Sequence, residues 1–122
     1  MILQDVKRPQ ADAAALSVNN ATVDGDAIDT NGFHEAAFTL KIYATTGVLS
    51  AFKIQGSHDG SSGWTDISGA ALTTLPGASD DNKNYAIYMD LRNVNYQYLR
   101  YSATEDNTGT VTGDVDVALA MA

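Results

Sequence analysis

The chain has 122 residues and no cysteine, and it carries 15 acidic against 7 basic residues for a net charge of −8. That length holds one domain with one modest core, and the missing thiol excludes a disulfide scaffold, a cysteine nucleophile and cysteine-ligated zinc. The acidity argues against binding a nucleic-acid backbone, which needs clustered Lys and Arg, and against an anionic membrane surface.

All the acids except Glu35 and Glu105 are Asp. Asp favours turns and caps, because its short side chain reaches nearby backbone N–H groups. With abundant Gly, Thr, Ser and Asn, this composition predicts a turn-rich β chain.

Residues 1–12 follow neither the strand nor the helix period. They contain Pro9 and the only adjacent basic pair, Lys7 and Arg8. They are expected to form an extended N-terminal arm, with residues 13–122 as a single β-sandwich domain. The start lacks the basic residues and long apolar run of a signal peptide. No apolar stretch approaches the roughly 20 residues that span a bilayer. The expectation is a soluble chain made in the cytoplasm.

The alanine-rich run 11–16 fits either a helical turn or a strand start. Residues 17–29 alternate weakly, with turn signals at Asn19-Asn20 and Asp24-Gly25-Asp26. The strand signal becomes clear at 35–43, where Phe38, Leu40 and Ile42 share one face. It continues in 49–57, with Phe52 and Ile54 on one face. After the loop 58–63, a short strand at 64–67 returns alongside to make a hairpin. A long connection, 69–84, contains Pro76-Gly77. Tyr85, Ile87, Met89 and Leu91 then share a face, and 93–95 turns into 96–103, predicting a second hairpin. Residues 106–109 turn again, and Val111, Val115, Val117, Leu119 and Met121 line the last strand. The pattern predicts an all-β fold, an antiparallel β-sandwich or jelly-roll-like barrel of about six to eight strands.

Candidate chemistry is sparse. Ser57-His58-Asp59 has the letters of a triad, but sequence neighbours on a strand point to opposite faces, so the expectation is a turn built on Asp59-Gly60. Asp24, Asp26 and Asp29 offer carboxylates without a full calcium loop. His34 and His58 lack further ligands at a fixed spacing. No cofactor, metal or catalytic residue is expected. Trp64 is expected as an apolar plug under the sheet, with sugar stacking as the alternative. Five tyrosines fall between 85 and 101 together with Arg92 and Arg100. Tyr88 and Arg92, and likewise Tyr98 and Arg100, are expected on the outward face of the 85–103 hairpin. Tyr and Arg are enriched at protein interfaces.

Three segments in order then stand out: 27–33 (AIDTNGF), 52–67 (FKIQGSHDGSSGWTDI) and 96–101 (YQYLRY). With them the chain resembles small virion structural proteins of tailed bacteriophages, most of all head decoration or cement proteins, over about residues 23–119. The resemblance implies a non-enzymatic β-sandwich on the outer surface of the virion. It would bind the shell of major capsid protein and assemble with itself as a homo-oligomer, a trimer. No nucleic acid or membrane partner is expected. The partner-binding residues expected from the sequence are Lys7, Arg8, Tyr88, Arg92, Tyr98 and Arg100. The alternative is a carbohydrate- or receptor-binding module of a phage tail or baseplate.

Overall fold

The computed structural model describes residues 4–7, 15–76 and 81–121. In chain order its strands are β1 (Gln4–Lys7), β2 (Ala15–Asp24), β3 (Ile28–Asp29), β4 (Glu35–Thr45), β5 (Leu49–Ser57), β6 (Thr65–Ala71), β7 (Asn84–Asp90) and β8 (Tyr98–Met121). A 3-10 turn, Leu91–Asn93, follows β7. The fold is all-β and antiparallel, an eight-stranded sheet curled into a nearly closed barrel.

The organising element is β8, which runs for 24 residues. The expected turn at 106–109 is instead part of this strand. Its odd residues Leu99, Tyr101, Ala103, Glu105, Val111, Val115, Val117 and Leu119 are all buried. One parity therefore holds from end to end, as the strand period requires. β2 and β3 pair along one edge of β8, while β4 and β5 follow one another along the other. β7 then flanks β4, and β6 flanks β5.

Both neighbours of β8 break register at the same level. On β2 the shift lies between Asn19 and Ala21, and Asn20 takes a left-handed φ of 44°. Two steps of β2, Asn19 to Ala21, here face the longer stretch of β8 from Thr110 to Glu105, and across the shift the inward side of β2 moves from Leu16 and Val18 to Val23, which explains the weak alternation of 17–29. On the other edge, the β4–β5 connection spans the same stretch of β8. Bulges bend strands and increase twist, so the sheet turns its corner here. Gly47 and Gly109 cross at this corner: a Cβ on Gly109 would stand 2.3 Å from Gly47 Cα. Glu105 is wholly buried beside them. One of its oxygens accepts the Asn20 N–H at 2.7 Å, and Oε2 has no partner among the described residues.

Folding the corner brings Phe38, Leu40, Ile42, Phe52, Ile54, Ile87, Leu99, Val115 and Val117 into one apolar cluster. The Phe52 and Tyr101 rings stack within it at 5.8 Å. The predicted 49–67 hairpin is present as β5 and β6, with β6 extending to Ala71. The predicted 85–103 hairpin is not. β7 pairs with β4, and the first half of β8 pairs with β5, β3 and the end of β2. The 3-10 turn and the residues after it carry the chain from one part of the sheet to another. Alternation alone carries no information about which strand is the partner.

Candidate functional site

Because Leu99 and Tyr101 point inward, Tyr98 and Arg100 stand on the outer face of β8. The register sets Arg100 opposite Gln55 of β5, and Gln55 opposite Asp66 of β6. A ladder of polar contacts follows across four strands. The Arg100 guanidinium lies 3.4 Å from Asp24 Oδ2 at the end of β2. Arg100 Nε donates to Gln55 Oε1 at 2.9 Å. Gln55 Nε2 donates to Asp66 Oδ1 at 2.9 Å, and Lys53 Nζ donates to Asp66 Oδ2 at 2.8 Å. The bond from Lys53, then that from Gln55, holds the Asp66 carboxyl below the ordinary carboxylate range.

Trp64 completes this face. The Arg100 guanidinium carbon lies 4.4 Å from the centroid of its ring, within cation–π range. Trp64 is half-buried and does not belong to the apolar core. The expected plug under the sheet is thus corrected. Trp64 shares its parity with the outward Asp66, whereas the apolar Ile67 packs inward.

The loop after β5 is tied to the same face. Asp59 accepts the N–H groups of Ser61 and Ser62, each at 2.9 Å, and the Ser62 hydroxyl at 2.9 Å. These bonds, the Ser61 N–H first, hold the Asp59 carboxyl far below its ordinary range. Ser57 Oγ is buried and accepts the Gly60 N–H at 3.1 Å. Gly60 has φ +77° and lies against the Tyr98 ring, which any Cβ there would meet at 3.0 Å. His58 does not approach Ser57 as a base would; its ring lies 4.8 Å from that of Tyr96. The Ser-His-Asp string is therefore a turn with its polar groups bonded to its own backbone.

The acidic run divides in the same way. Asp24 faces Arg100, and Asp29 accepts the Asn31 N–H at 2.9 Å and the Gln97 amide at 3.1 Å. Among the described residues no three His, Asp or Glu side chains gather as metal ligands would.

Of the residues expected to bind partners, the structure brings Tyr98 and Arg100 together on the outer face of β8, with the Trp64 ring against the Arg100 guanidinium. Tyr88 and Arg92 belong to a different part of the sheet, on β7 and the 3-10 turn after it. Tyr88 is 82% exposed. Arg92 Nε donates to Asp90 at 2.9 Å, an interaction that lowers the Asp90 carboxyl and raises the guanidinium. Lys7 ends β1, which pairs with the last residues of β8. Arg8 lies outside the described residues, as does the rest of the 1–12 segment apart from β1.

Sequence reasoning missed Asp24, Gln55 and Asp66 as members of the face. No local signal marks them, because the sheet register alone sets them beside Arg100. For Trp64 the parity with Asp66 was a readable signal. Among the described residues no helix is long and apolar enough to cross a membrane. Compared with known proteins, the chain matches no family, and no curated protein matches it.

Proposed function

We propose that this chain is a non-enzymatic structural protein of a tailed-phage particle. In this reading it decorates the outer surface of the virion, binding the major capsid protein shell and stabilising it. The observation that carries the reading is the outward face built by Trp64, Tyr98, Arg100, Gln55 and Asp66. The 52–67 and 96–101 segments, on which the resemblance rests, are the segments that build it. Trp, Tyr and Arg are the residue types that dominate binding hot spots. The ladder of bonds holds them in place before any partner arrives, and side chains ordered in advance lose less entropy on docking.

The direct test is co-sedimentation of the purified chain with empty shells of the host particle. Wild type pellets with the shells, and Arg100→Ala or Trp64→Ala pellets at least tenfold less. Equal pelleting by all three, or absence of the chain from purified particles by mass spectrometry, would sink the proposal.

One observation favours a second reading, a carbohydrate-binding module. Trp64 is outside the core, where an indole can stack on a sugar ring. A glycan array tests it, and no glycan bound above background removes it.

A further inference from the structure

The outer face of the β4–β7 pair matches itself. The register sets Glu35 beside Asp90, Ala37 beside Tyr88, Thr39 beside Ala86 and Lys41 beside Asn84. The residues between them, Ala36, Phe38, Leu40, Ile87 and Met89, are buried, so these four pairs point outward. β6 runs alongside β7 at the seam and does not cover them, since Asn84, Ala86, Tyr88 and Asp90 are all exposed. Tyr88 stands up from this face at 82% exposure, against 44% for Tyr43 and 43% for Val48, the other large exposed hydrophobics. The floor around the ring is low, with Ala86 on the same strand and Ala37 and Ala118 across the sheet. Unlike charges lie at the two ends of β4. The Glu35 carboxylate makes no ion pair or hydrogen bond among the described residues. Lys41 Nζ lies over the Tyr43 ring, 5.4 Å from its centroid, and makes no ion pair there either. Six residues of strand separate the two charges by about 20 Å, so they cannot meet within one chain.

We infer that this face docks on the same face of a second copy of the chain, about a two-fold axis that crosses β4 and β7 at the level of Phe38 and Ile87. Such an axis lies between the two sheets, about 10 Å apart, and lays each strand over its own copy in the opposite direction. Residues equally far from the axis then meet. Tyr88 covers Ala86 of the second copy, a large ring on a small side chain. Ala37 meets Thr39, Asp90 meets the Asn84 amide, and Glu35 meets Lys41. Each contact occurs twice, because the arrangement is isologous and closes at two copies. The two Tyr88 rings come side by side, offset by about 7 Å along the strand, at the outer limit of aromatic contact. Sheets stacked this way cross at about 30°, which displaces the ends of the patch by about 5 Å, within reach of long Glu and Lys side chains. Moving the axis one row, to Ala37 and Tyr88, sets Tyr88 on Tyr88 and Glu35 on Thr39, and leaves Lys41 without its carboxylate. The result is an aromatic centre with a charged rim, the usual anatomy of a protein interface. Two strands of a curved wall make a contact below about 1,200 Å², so the dimer is weak and concentration-dependent. The inference holds whether or not the chain belongs to a virion.

Sedimentation velocity from about 10 µM to about 1 mM tests it, a range suited to a weak contact. Wild type shifts from monomer to dimer across that range, and added salt moves the shift to higher concentration. Tyr88→Lys puts a charge at the centre of the contact without touching the core, and raises the dissociation constant at least about tenfold. Tyr88→Ser has the same effect and decides the point if the lysine variant fails to fold. Charge reversal tests the register. Glu35→Lys sets lysine against lysine at both ends, and Lys41→Glu sets glutamate against glutamate, so each alone weakens the dimer about threefold or more. The variant carrying both changes returns to within about twofold of wild type, because the two residues meet only between copies. Ser50→Lys, on β5 and away from the patch, leaves the dimer intact. Monomer throughout, a trimer, a dimer that survives loss of the Tyr88 ring, or a double reversal no tighter than the single ones would each overturn the docking.

Discussion

Gly109→Ala isolates the corner of the sheet in a single methyl group. Neither Gly109 nor Gly47 has a positive φ, so an alanine fits the backbone conformation of either. At such sites Gly→Ala ordinarily stabilises by about 0.4–1 kcal/mol, through the unfolded chain. Here the new Cβ would lie 2.3 Å from Gly47 Cα and 2.5 Å from both Gly47 N and Thr46 O. All three are backbone atoms, which cannot rotate away as a side chain can. Overpacking against side chains costs about 1–3 kcal/mol, and the corner has to open for this one. The expected cost is therefore at least about 3 kcal/mol, or a fall in Tm of roughly 10 °C for a chain this size. Urea unfolding of wild type, Gly47→Ala, Gly109→Ala and the double variant measures it. A Cβ on Gly47 would meet Gly109 Cα at 3.0 Å, so both changes strain one contact. The double variant should cost less than the sum of the singles, with a coupling of about 0.5–3 kcal/mol. A stabilised Gly109→Ala, or singles that add within about 0.5 kcal/mol, would refute the crossing.

Phe38→Ala empties a core site that is 1% exposed and should cost about 3–5 kcal/mol in urea unfolding. Trp64→Ala, by contrast, loses a surface cation–π contact and should cost only about 1 kcal/mol in the same assay. Glu105→Ala leaves the Asn20 N–H unsatisfied and should cost about 1–3 kcal/mol; Glu105→Gln keeps an acceptor there and should cost less. Asp59 has a lowered carboxyl in the folded state, so its contribution to stability is complete above the ordinary Asp value and is lost as pH falls below it toward the folded value. Carbon-detected NMR should show Asp59 titrating well below the ordinary value of about 3.9, and Asp59→Asn should remove part of the stability loss at acid pH.

The core strands were legible because alternation is local. Phe38, Leu40 and Ile42, or Val115, Val117 and Leu119, announce their faces within a few residues. β2 was blurred because the register shift at Asn20 switches its parity midway, which looks like weak periodicity until both halves are read separately. Gly109 reads as a turn glycine, yet β8 continues through it. The glycine is there for a close backbone approach, and that requirement comes from Gly47, far away in sequence. Tyr98 and Arg100 were correctly placed outward, but their grouping with Tyr88 and Arg92 rested on a hairpin that the sheet does not form. Partner choice among strands is a long-range outcome, decided by which arrangement buries the apolar faces together.

The contact between Arg100 and Trp64 gives the two functional readings opposite consequences. A protein shell that docks on this face meets the guanidinium and the indole as one surface, with Asp24 and Gln55 holding the charge in place. Removing Arg100 then removes both a hot-spot residue and the order it imposes on Trp64, and affinity falls. A sugar ring instead needs the indole face that the guanidinium now covers. Binding it means displacing a contact worth about 0.5–1 kcal/mol at an exposed site. Arg100→Ala removes that competition, so glycan affinity rises by roughly two- to fivefold, while shell affinity falls. One variant measured against both ligands therefore separates the readings by the sign of the change. Gln55→Ala sharpens the result, because it loosens Arg100 without removing its charge. It should weaken shell binding less than Arg100→Ala and raise glycan binding less. If both affinities fell together in both variants, the ladder would be holding the sheet together rather than presenting a surface, and unfolding midpoints lowered in parallel would confirm it.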